Sequence, residues 1–364
     1  MASFRNALAS RWGIVGVGAT IGVLAPLLQW LGNPGNMGMC VACFERDAAG
    51  AVGLHRAEVV QYLRPELIGF VLGSLAAAAL FRELRSRAGS APVVRFFLGV
   101  FAMVGALVFL GCPWRALLRL AGGDGNAILG LAGLVAGIWV GTLFLRRGYD
   151  LGRARPTYLS AGLLLPLLAA GALTLLLLDP QVAGQARAGV LWYSVKGPGA
   201  LHAPLAASLA VGLLVGFLAQ RSRFCTMGAF RDLLAFREPH LFWGVLALAV
   251  AALATNLTLG QFRPGFDGQP VAHSQGLWNF AGMALAGLAF ALAGGCPGRQ
   301  LFLAGEGDGD AAVFALGMIA GAAFAHNFGL ASSPQGVGAH GAVAVAVGLA
   351  FCGLVGLTMR EEAT

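Results

Sequence analysis

The sequence predicts an all-α integral membrane protein: about ten transmembrane helices plus re-entrant half-helices, arranged as two inverted five-helix repeats. Three observations predict it. Hydrophobic residues make up 58% of the 364 positions and charged residues only 11%, against roughly 25% charged in soluble domains. Mean hydropathy is +0.77. Cysteine-centred motifs recur at a fixed offset in the two halves of the chain. So apolar a chain has no room for a sizeable soluble domain. Its 55 glycines follow no Gly-X-Y period, and in an apolar chain they mark close helix–helix contact.

The elements follow in order. Arg5 and Arg11 precede an apolar run from Ile14 to Leu31. That run is long for a signal-peptide core and no small-x-small site follows it, so it reads as an uncleaved first span. At roughly 20 apolar residues per span, ten segments qualify: 12–32, 60–81, 93–111, 127–146, 157–178, 204–220, 240–260, 276–294, 311–330 and 338–358. The segment at 204–220 is the shortest, and 93–111 is a candidate for a broken helix.

Arginines cluster after spans two (Arg82, Arg85, Arg87, Arg95), four (Arg146, Arg147, Arg153, Arg155) and six (Arg221, Arg223, Arg231, Arg237). All three clusters share one side. Short arginine-rich loops face the cytoplasm, so N-in and C-in is expected, with 179–203 and 261–275 outside. The net charge of +8 then orients helices in the bilayer and argues against a nucleic-acid partner.

Gly111-Cys112-Pro113-Trp114-Arg115 matches Gly295-Cys296-Pro297-Gly298-Arg299 at an offset of 184, which also aligns Gly123-Asp124-Gly125 with Gly307-Asp308-Gly309. At 185, Cys40, Arg46 and Asp47 match Cys225, Arg231 and Asp232. Duplication explains the whole ordered set. The expected organisation is a first repeat at 1–156 with the Cys40 and Cys112 motifs and a fifth span with an external loop at 157–203. The second repeat, with the Cys225 and Cys296 motifs, covers 204–337, and the last span and cytoplasmic tail cover 338–364. Five spans per copy is an odd number, so the second copy enters from the opposite side. The stretches 41–55 and 226–238, and those after each Cys-Pro, are too short to span and read as half-helices lining a cavity.

The cysteines suggest a chemistry. Proline is favoured at the first helical position, which places Cys112 and Cys296 at N-caps. Helix N-termini attract anions, and Arg115 and Arg299 add positive charge three residues on. Soft thiols in that setting suit a small sulfur- or selenium-containing anion. Arg46/Asp47 and Arg231/Asp232 are either structural ion pairs or anion-attracting groups at the path. Cys40-Val41-Ala42-Cys43 has the spacing of a redox pair or half a metal site, but Cys43 faces Gly228 across the repeat and His55 is the only nearby histidine. No metal or cofactor is assigned. Cys352 reads as a small buried hydrophobe, Asp124 and Asp308 as turn or cap residues, and Asn256 and Asn327 as helix-packing groups. His273, His326 and His340 carry no assigned chemistry.

The paired Gly-Cys-Pro-x-Arg motifs and the Arg-Ser-Arg-Phe-Cys-Thr-Met-Gly-Ala-Phe-Arg-Asp run at 221–232 resemble the YeeE/YedE family of sulfur-transport membrane proteins across nearly the whole chain. Cys-Val-Ala-Cys-Phe-Glu-Arg-Asp at 40–47 looks most like the YedE branch, associated with selenium transport. The resemblance implies a non-enzymatic protein of the bacterial inner membrane that takes up thiosulfate or a related compound. In it Cys40, Cys112, Cys225 and Cys296 line an hourglass-shaped path and pass the ion by S–H···S contacts. It also implies a small cytoplasmic sulfur-carrier partner of the SirA/TusA type. Cys43 departs from that pattern. It keeps open an alternative reading, a membrane thiol–disulfide oxidoreductase using Cys40/Cys43, although no quinone site is marked. An unselective channel is a third reading.

Overall fold

Proline and short polar caps set where the helices begin in the computed structural model, which describes residues 7–182, 184–187 and 189–360. Arg5 and the tail residues 361–364, which bear on the expected orientation, lie outside the described residues, as do Ala183 and Ala188 of the expected external loop. The first half contains α1 (Arg11–Trp30), α2 (Val41–Ala51), α3 (Pro65–Leu80), α4 (Pro92–Phe109), α5 (Pro113–Ala121), α6 (Asn126–Arg146) and, after a single turn at Leu159–Gly162, α7 (Leu164–Leu178). The second half repeats the pattern with α8 (Leu205–Ser222), α9 (Thr226–Phe236), α10 (His240–Thr258), α11 (Gly276–Ala293), α12 (Pro297–Gly305), α13 (Gly309–Asn327) and α14 (Gly341–Thr358). Pro65, Pro92, Pro113 and Pro297 each open a helix, where a missing N–H costs nothing.

Among the described residues, eight stretches are long and apolar enough to cross a membrane, and α3 and α7 are shorter apolar helices. Together they fall on the ten segments expected from the sequence, and the chain is a multi-pass, all-α membrane protein. The helix through 93–111 is unbroken as far as Phe109. The four remaining helices, α2, α5, α9 and α12, run nine to eleven residues. At 1.5 Å per residue that is roughly 14–17 Å, about half the hydrocarbon thickness.

Small residues let the long helices meet backbone to backbone. α1 lies along α10 so closely that a Cβ on Gly18 would stand 1.9 Å from the Gly244 carbonyl oxygen. In the same way α3 lies along α8 (Gly69 on Gly212) and α6 along α11 (Gly133 on Phe280, Gly137 on Ala284). Each of these pairs runs parallel. α4 and α13 also run parallel, joined at their starts by Ser90 N–H to Asp310 and at their ends by Ser332 N–H to the Leu107 carbonyl. α1 runs the other way from α3 and α8: Asn33, just past its end, bonds Glu66 at the start of α3 (2.8 Å) and the Ala203 N–H just before α8 (2.9 Å). Thus α1 and α8, which hold the same place in the two halves, point in opposite directions.

The arginine-rich loops gather at one end. The short strands β1 (Arg87–Ala88) and β2 (Arg155–Pro156) pair antiparallel, Arg221 bonds Glu83, and Arg87 bonds Asp308 at 2.7 Å. At the other end Arg64 donates to the Leu201 and Pro198 carbonyls, and Lys196 stands 3.9 Å from Glu58 on the surface.

Candidate functional site: two thiol clusters at half-helix starts

All four repeated cysteines are helix N-caps. Cys40 caps α2 from an extended backbone (φ −140°, ψ 102°), and its sulfur accepts the Cys43 N–H at 3.3 Å. Cys225 caps α9 in the same way (φ −154°, ψ 117°), accepting from Gly228 N–H at 3.3 Å. Cys112 and Cys296 precede the N1 prolines of α5 and α12, and neither makes a side-chain cap bond. Their thiols are therefore free to face other groups.

In the first half, the Cys40 thiol donates to Cys43 Sγ at 2.8 Å and is also a close neighbour of Cys112. Three buried thiols and two half-helix N-termini thus converge, and the backbone N–H ends make the spot electropositive. Arg115, with no exposed surface, completes it. Its guanidinium donates to the carbonyls of Asn36 (3.1 Å), Leu110, Pro270 (3.2 Å) and Val271 (3.1 Å) and approaches Cys43 Sγ at 3.8 Å. Among the described residues no carboxylate is bonded to it. Its charge is held by carbonyl dipoles and directed at the thiols.

In the second half Cys225 and Cys296 are close neighbours, with Gly228 where the first half has Cys43. Arg299 is ion-paired with Glu306 at 3.3 Å; the first-half position matching Glu306 is Gly122. The second cluster has two thiols and a neutralised arginine.

Trp114, two residues past Cys112, packs against residues that flank the second cluster's cysteines. Its ring contacts Phe70 (6.0 Å), Phe224 (5.8 Å) and Phe302 (6.1 Å between centroids). A Cβ on Gly298, the repeat partner of Trp114, would lie 3.2 Å from that ring. The indole Nε1–H of Trp114 and the hydroxyl of Thr226, beside Cys225, are buried without hydrogen-bond partners. Unpaired buried donors are costly, and these two stand beside the cysteine motifs, Trp114 two residues past Cys112 and Thr226 next to Cys225.

The four arginines singled out beside the cysteine motifs each have a definite place. Arg115 and Arg299 stand at the thiols. Arg46 and Arg231 hold their neighbouring aspartates in ion pairs, at 2.6 and 2.8 Å. Arg46–Asp47 is buried and braced by Arg64 at 2.8 Å; Arg231–Asp232 is partly exposed. Asp124 bonds Arg119 at 2.6 Å and the Asn126 N–H, and Asp308 caps α13. Asn256 donates to the Ala121 carbonyl and Asn327 to that of Leu54, while Cys352 is buried in α14. Three features escaped the sequence reading: Arg64, the packing of Trp114 against the second half, and Glu45, a fully buried carboxyl. Glu45 and Arg64 had a local signal, a charged residue inside a half-helix or span expected at membrane depth.

Comparison with known proteins bears on the second half. Residues 221–359 match the family model described as sulphur transport. A thiosulfate transporter, TsuA, of Spirochaeta thermophila is 35% identical over 99 residues, covering 27% of this chain and 29% of the relative. The Escherichia coli thiosulfate transporter TsuA is 31% identical over 99 residues, 27% of this chain and 28% of the relative. The match thus spans less than a third of the length of either relative. These findings bear out the family resemblance drawn from the cysteine motifs, while neither name speaks for the selenium branch.

Proposed function

We propose that this membrane protein, a relative of the sulphur-transport proteins through its second half, takes up thiosulfate or a related small sulfur or selenium anion. The observation that carries the reading is the pairing of N-cap thiols in each half. The opposed directions of α1 and α8 support two inverted copies, with α2 and α5 entering from one face and α9 and α12 from the other. The gathered arginine loops support a cytoplasmic location for that end, hence N-in and C-in in a bacterial inner membrane, with Cys40, Cys43 and Cys112 toward the outside.

Thiols suit such a cargo because each S–H is a weak donor. An anion handed between Cys40/Cys112 and Cys225/Cys296 is held at several points without being trapped at any. Arg115 and the half-helix N-termini attract it. The free N–H of Trp114 and hydroxyl of Thr226 offer donors to its oxygens as it passes between the clusters. Release occurs at the second cluster, where Arg299 is already paired with Glu306. A small cytoplasmic sulfur-carrier protein of the SirA/TusA type would receive the sulfur at that end.

Uptake of labelled thiosulfate by proteoliposomes, with selenium analogues as competitors, tests the reading. Saturable uptake that collapses in the Cys112→Ala/Cys296→Ala double variant is expected; unchanged uptake in that variant overturns the relay. The 2.8 Å contact of Cys40 with Cys43 favours one second reading, a thiol–disulfide oxidoreductase. Trapping a mixed disulfide between Cys40 and a periplasmic protein would establish it, and fully reduced thiols in protein purified without reductant would rule it out.

A further inference from the structure

Arg115 and Arg299 occupy one position of the repeat, yet their guanidinium groups are engaged to different degrees. All three nitrogens of Arg115 donate to carbonyls, and the residue has no exposed surface. Arg299 uses one nitrogen: Nη1 donates to Glu306 at 3.3 Å. Its Nε/Nη2 edge has no partner among the described residues, yet it is not sealed from water as the unpartnered Arg119 Nη2 and Arg221 Nε are. That edge presents two parallel N–H groups, the fork on which a guanidinium binds an oxyanion.

The pair with Glu306 is loose. The other arginine–carboxylate pairs stand at 2.5–2.8 Å, and Glu306 accepts through one oxygen only. The site also keeps an opening. Arg299, one turn into α12 and beside Cys225, is 8% exposed, and Cys225 and Glu306 are each 6% exposed, whereas Cys40 and Cys43 of the first cluster have no exposed surface.

Glu306 lies just past α12, outside the spanning stretch Gly276–Gly305. Burial holds its carboxyl above the usual carboxylate range, against the pull of Arg299, Arg223 and Arg87. Of the groups around it, Glu83 after α3 is held by Arg221 and Gln220 of α8, Arg87 of β1 holds Asp308, and Arg223 at the end of α8 is exposed. On α13, Asp310 takes the Gly89 and Ser90 N–H groups and His326 stacks on His55. Arg46 of α2 is paired with Asp47, Glu45 of α2 is fully buried, Glu66 of α3 bonds Asn33 and Ser208, and α7 carries no ionisable side chain. Among the described residues Glu306 alone shares Arg299. The repeat supplies the control: Gly122 stands at the matching place in the first half, so Arg115 has no such partner.

From these observations we infer that the Nε/Nη2 edge of Arg299, with the Cys225 and Cys296 thiols beside it, is an oxyanion site, and that the proton on Glu306 sets how tightly it holds. The inference rests on the transport reading. The anion is the sulfur oxyanion handed on from the first cluster, with its oxygens on the guanidinium and its terminal sulfur toward the thiols. With Glu306 ionised, the anion shares Arg299 with a carboxylate beside it and leaves. With Glu306 neutral, the charge of Arg299 is unshared and the anion stays. Proton and anion therefore bind together, each raising the affinity for the other. In the proposed orientation the switch faces the cytoplasm and slows release as that compartment acidifies.

The test is thiosulfate binding to the full chain in nanodiscs, by calorimetry in buffers of different ionisation enthalpy, with proteoliposome uptake measured alongside. Wild type should bind with net proton uptake. Its affinity should rise as pH falls from about 8 to about 5.5, by at most about tenfold per unit, the limit for one linked proton. Glu306→Gln, permanently uncharged, should bind as tightly as wild type at the acid end, with no proton uptake and no pH dependence. Arg299→Met/Glu306→Gln should lose roughly tenfold or more of that affinity, the scale of a charge-assisted hydrogen bond. Sulfate, which has no terminal sulfur, should compete more weakly than thiosulfate. Proton uptake is read on wild type, so the test survives a variant that does not fold. Binding without proton uptake, at a pH-independent affinity shared by wild type and Glu306→Gln, overturns the inference, and saturable uptake in the same preparation leaves the transport reading standing. Loss of both binding and uptake in wild type overturns the two together. Sulfate competing as well as thiosulfate overturns the assignment of the site to the cargo.

Discussion

The two thiol clusters descend from one motif set and differ at almost every point where charge or hydrogen bonding could differ. The first has Cys43, the second Gly228. Arg115 is buried without a carboxylate, while Arg299 is paired with Glu306. Arg46–Asp47 is sealed in and braced by Arg64, while Arg231–Asp232 reaches the surface. The scaffold is therefore symmetric and the chemistry is not. A symmetric relay would bind its anion equally at both ends. Here the first cluster holds an arginine without a carboxylate and a third thiol, and the second a paired arginine, which in the proposed relay makes the first the capture end and the second the release end.

Arginine substitutions test this difference with the largest expected effect. Arg115→Met removes the cation facing the first thiols and leaves four carbonyls without a donor. Uptake at limiting thiosulfate should fall by roughly 100-fold, the scale of a charge-assisted hydrogen bond in a desolvated site. Arg299→Met should harm the protein chiefly by stranding Glu306, so adding Glu306→Gln restores most of the uptake. No second substitution does the same for Arg115. A full rescue of Arg115→Met by any neighbour would break the comparison.

Next in size are the thiols themselves. Cys112→Ala is expected to raise the half-saturating thiosulfate concentration about tenfold. Cys296→Ala should lower maximal uptake with a smaller change in half-saturation, because its cluster acts after capture. Equal effects on both parameters would mean the relay has no direction. Trp114→Phe keeps the ring and removes the N–H, and should cost roughly threefold to tenfold in maximal uptake, in keeping with one neutral hydrogen bond.

The ion pairs carry the comparison into stability. Asp47 accepts from both Arg46 and Arg64 with no exposed surface. Asp47→Asn should therefore cost about 3–5 kcal/mol, since two buried guanidinium groups lose their counter-charge. Asp232→Asn, at a partly exposed pair, should cost under about 1 kcal/mol. Thermal unfolding of the two variants in the same detergent measures the difference.

The spans and the N-cap cysteines were legible in the sequence because their signals are local. Apolar length marks a helix in lipid, and proline after cysteine marks a helix start. The chemistry around the cysteines was not legible, because it is built by contacts between distant segments. Arg115 is held by carbonyls of residues 270 and 271, and Arg64 reaches Asp47 across a half-helix and a loop. Trp114 packs on Gly298 from the other repeat. Motif matching sees Arg115 and Arg299 as the same residue twice. Only the presence of Glu306 in one half and Gly122 in the other separates their roles, and that becomes readable once the two sites are set side by side.

Cys43 gives the smallest expected effect and the sharpest test of what the asymmetry is for. Its sulfur lies 2.8 Å from Cys40 and 3.8 Å from the Arg115 guanidinium, so it is a third thiol at the capture end and a potential disulfide partner for the path cysteine. Cys43→Gly gives the first cluster the residue of the second. If the capture end works through Arg115, Cys40 and Cys112, uptake under reducing conditions should stay within about twofold, since a weak S–H contact contributes little beside a charge. Under a disulfide oxidant such as diamide, wild-type uptake should fall as Cys40 is tied to Cys43, and the variant should resist, because Cys40 then has no partner three residues away on its own helix. Loss of uptake in the variant under reducing conditions would instead make Cys43 a member of the path. The capture end would then work through three thiols, and the added residue, rather than the unpaired arginine, would be the main departure from symmetry.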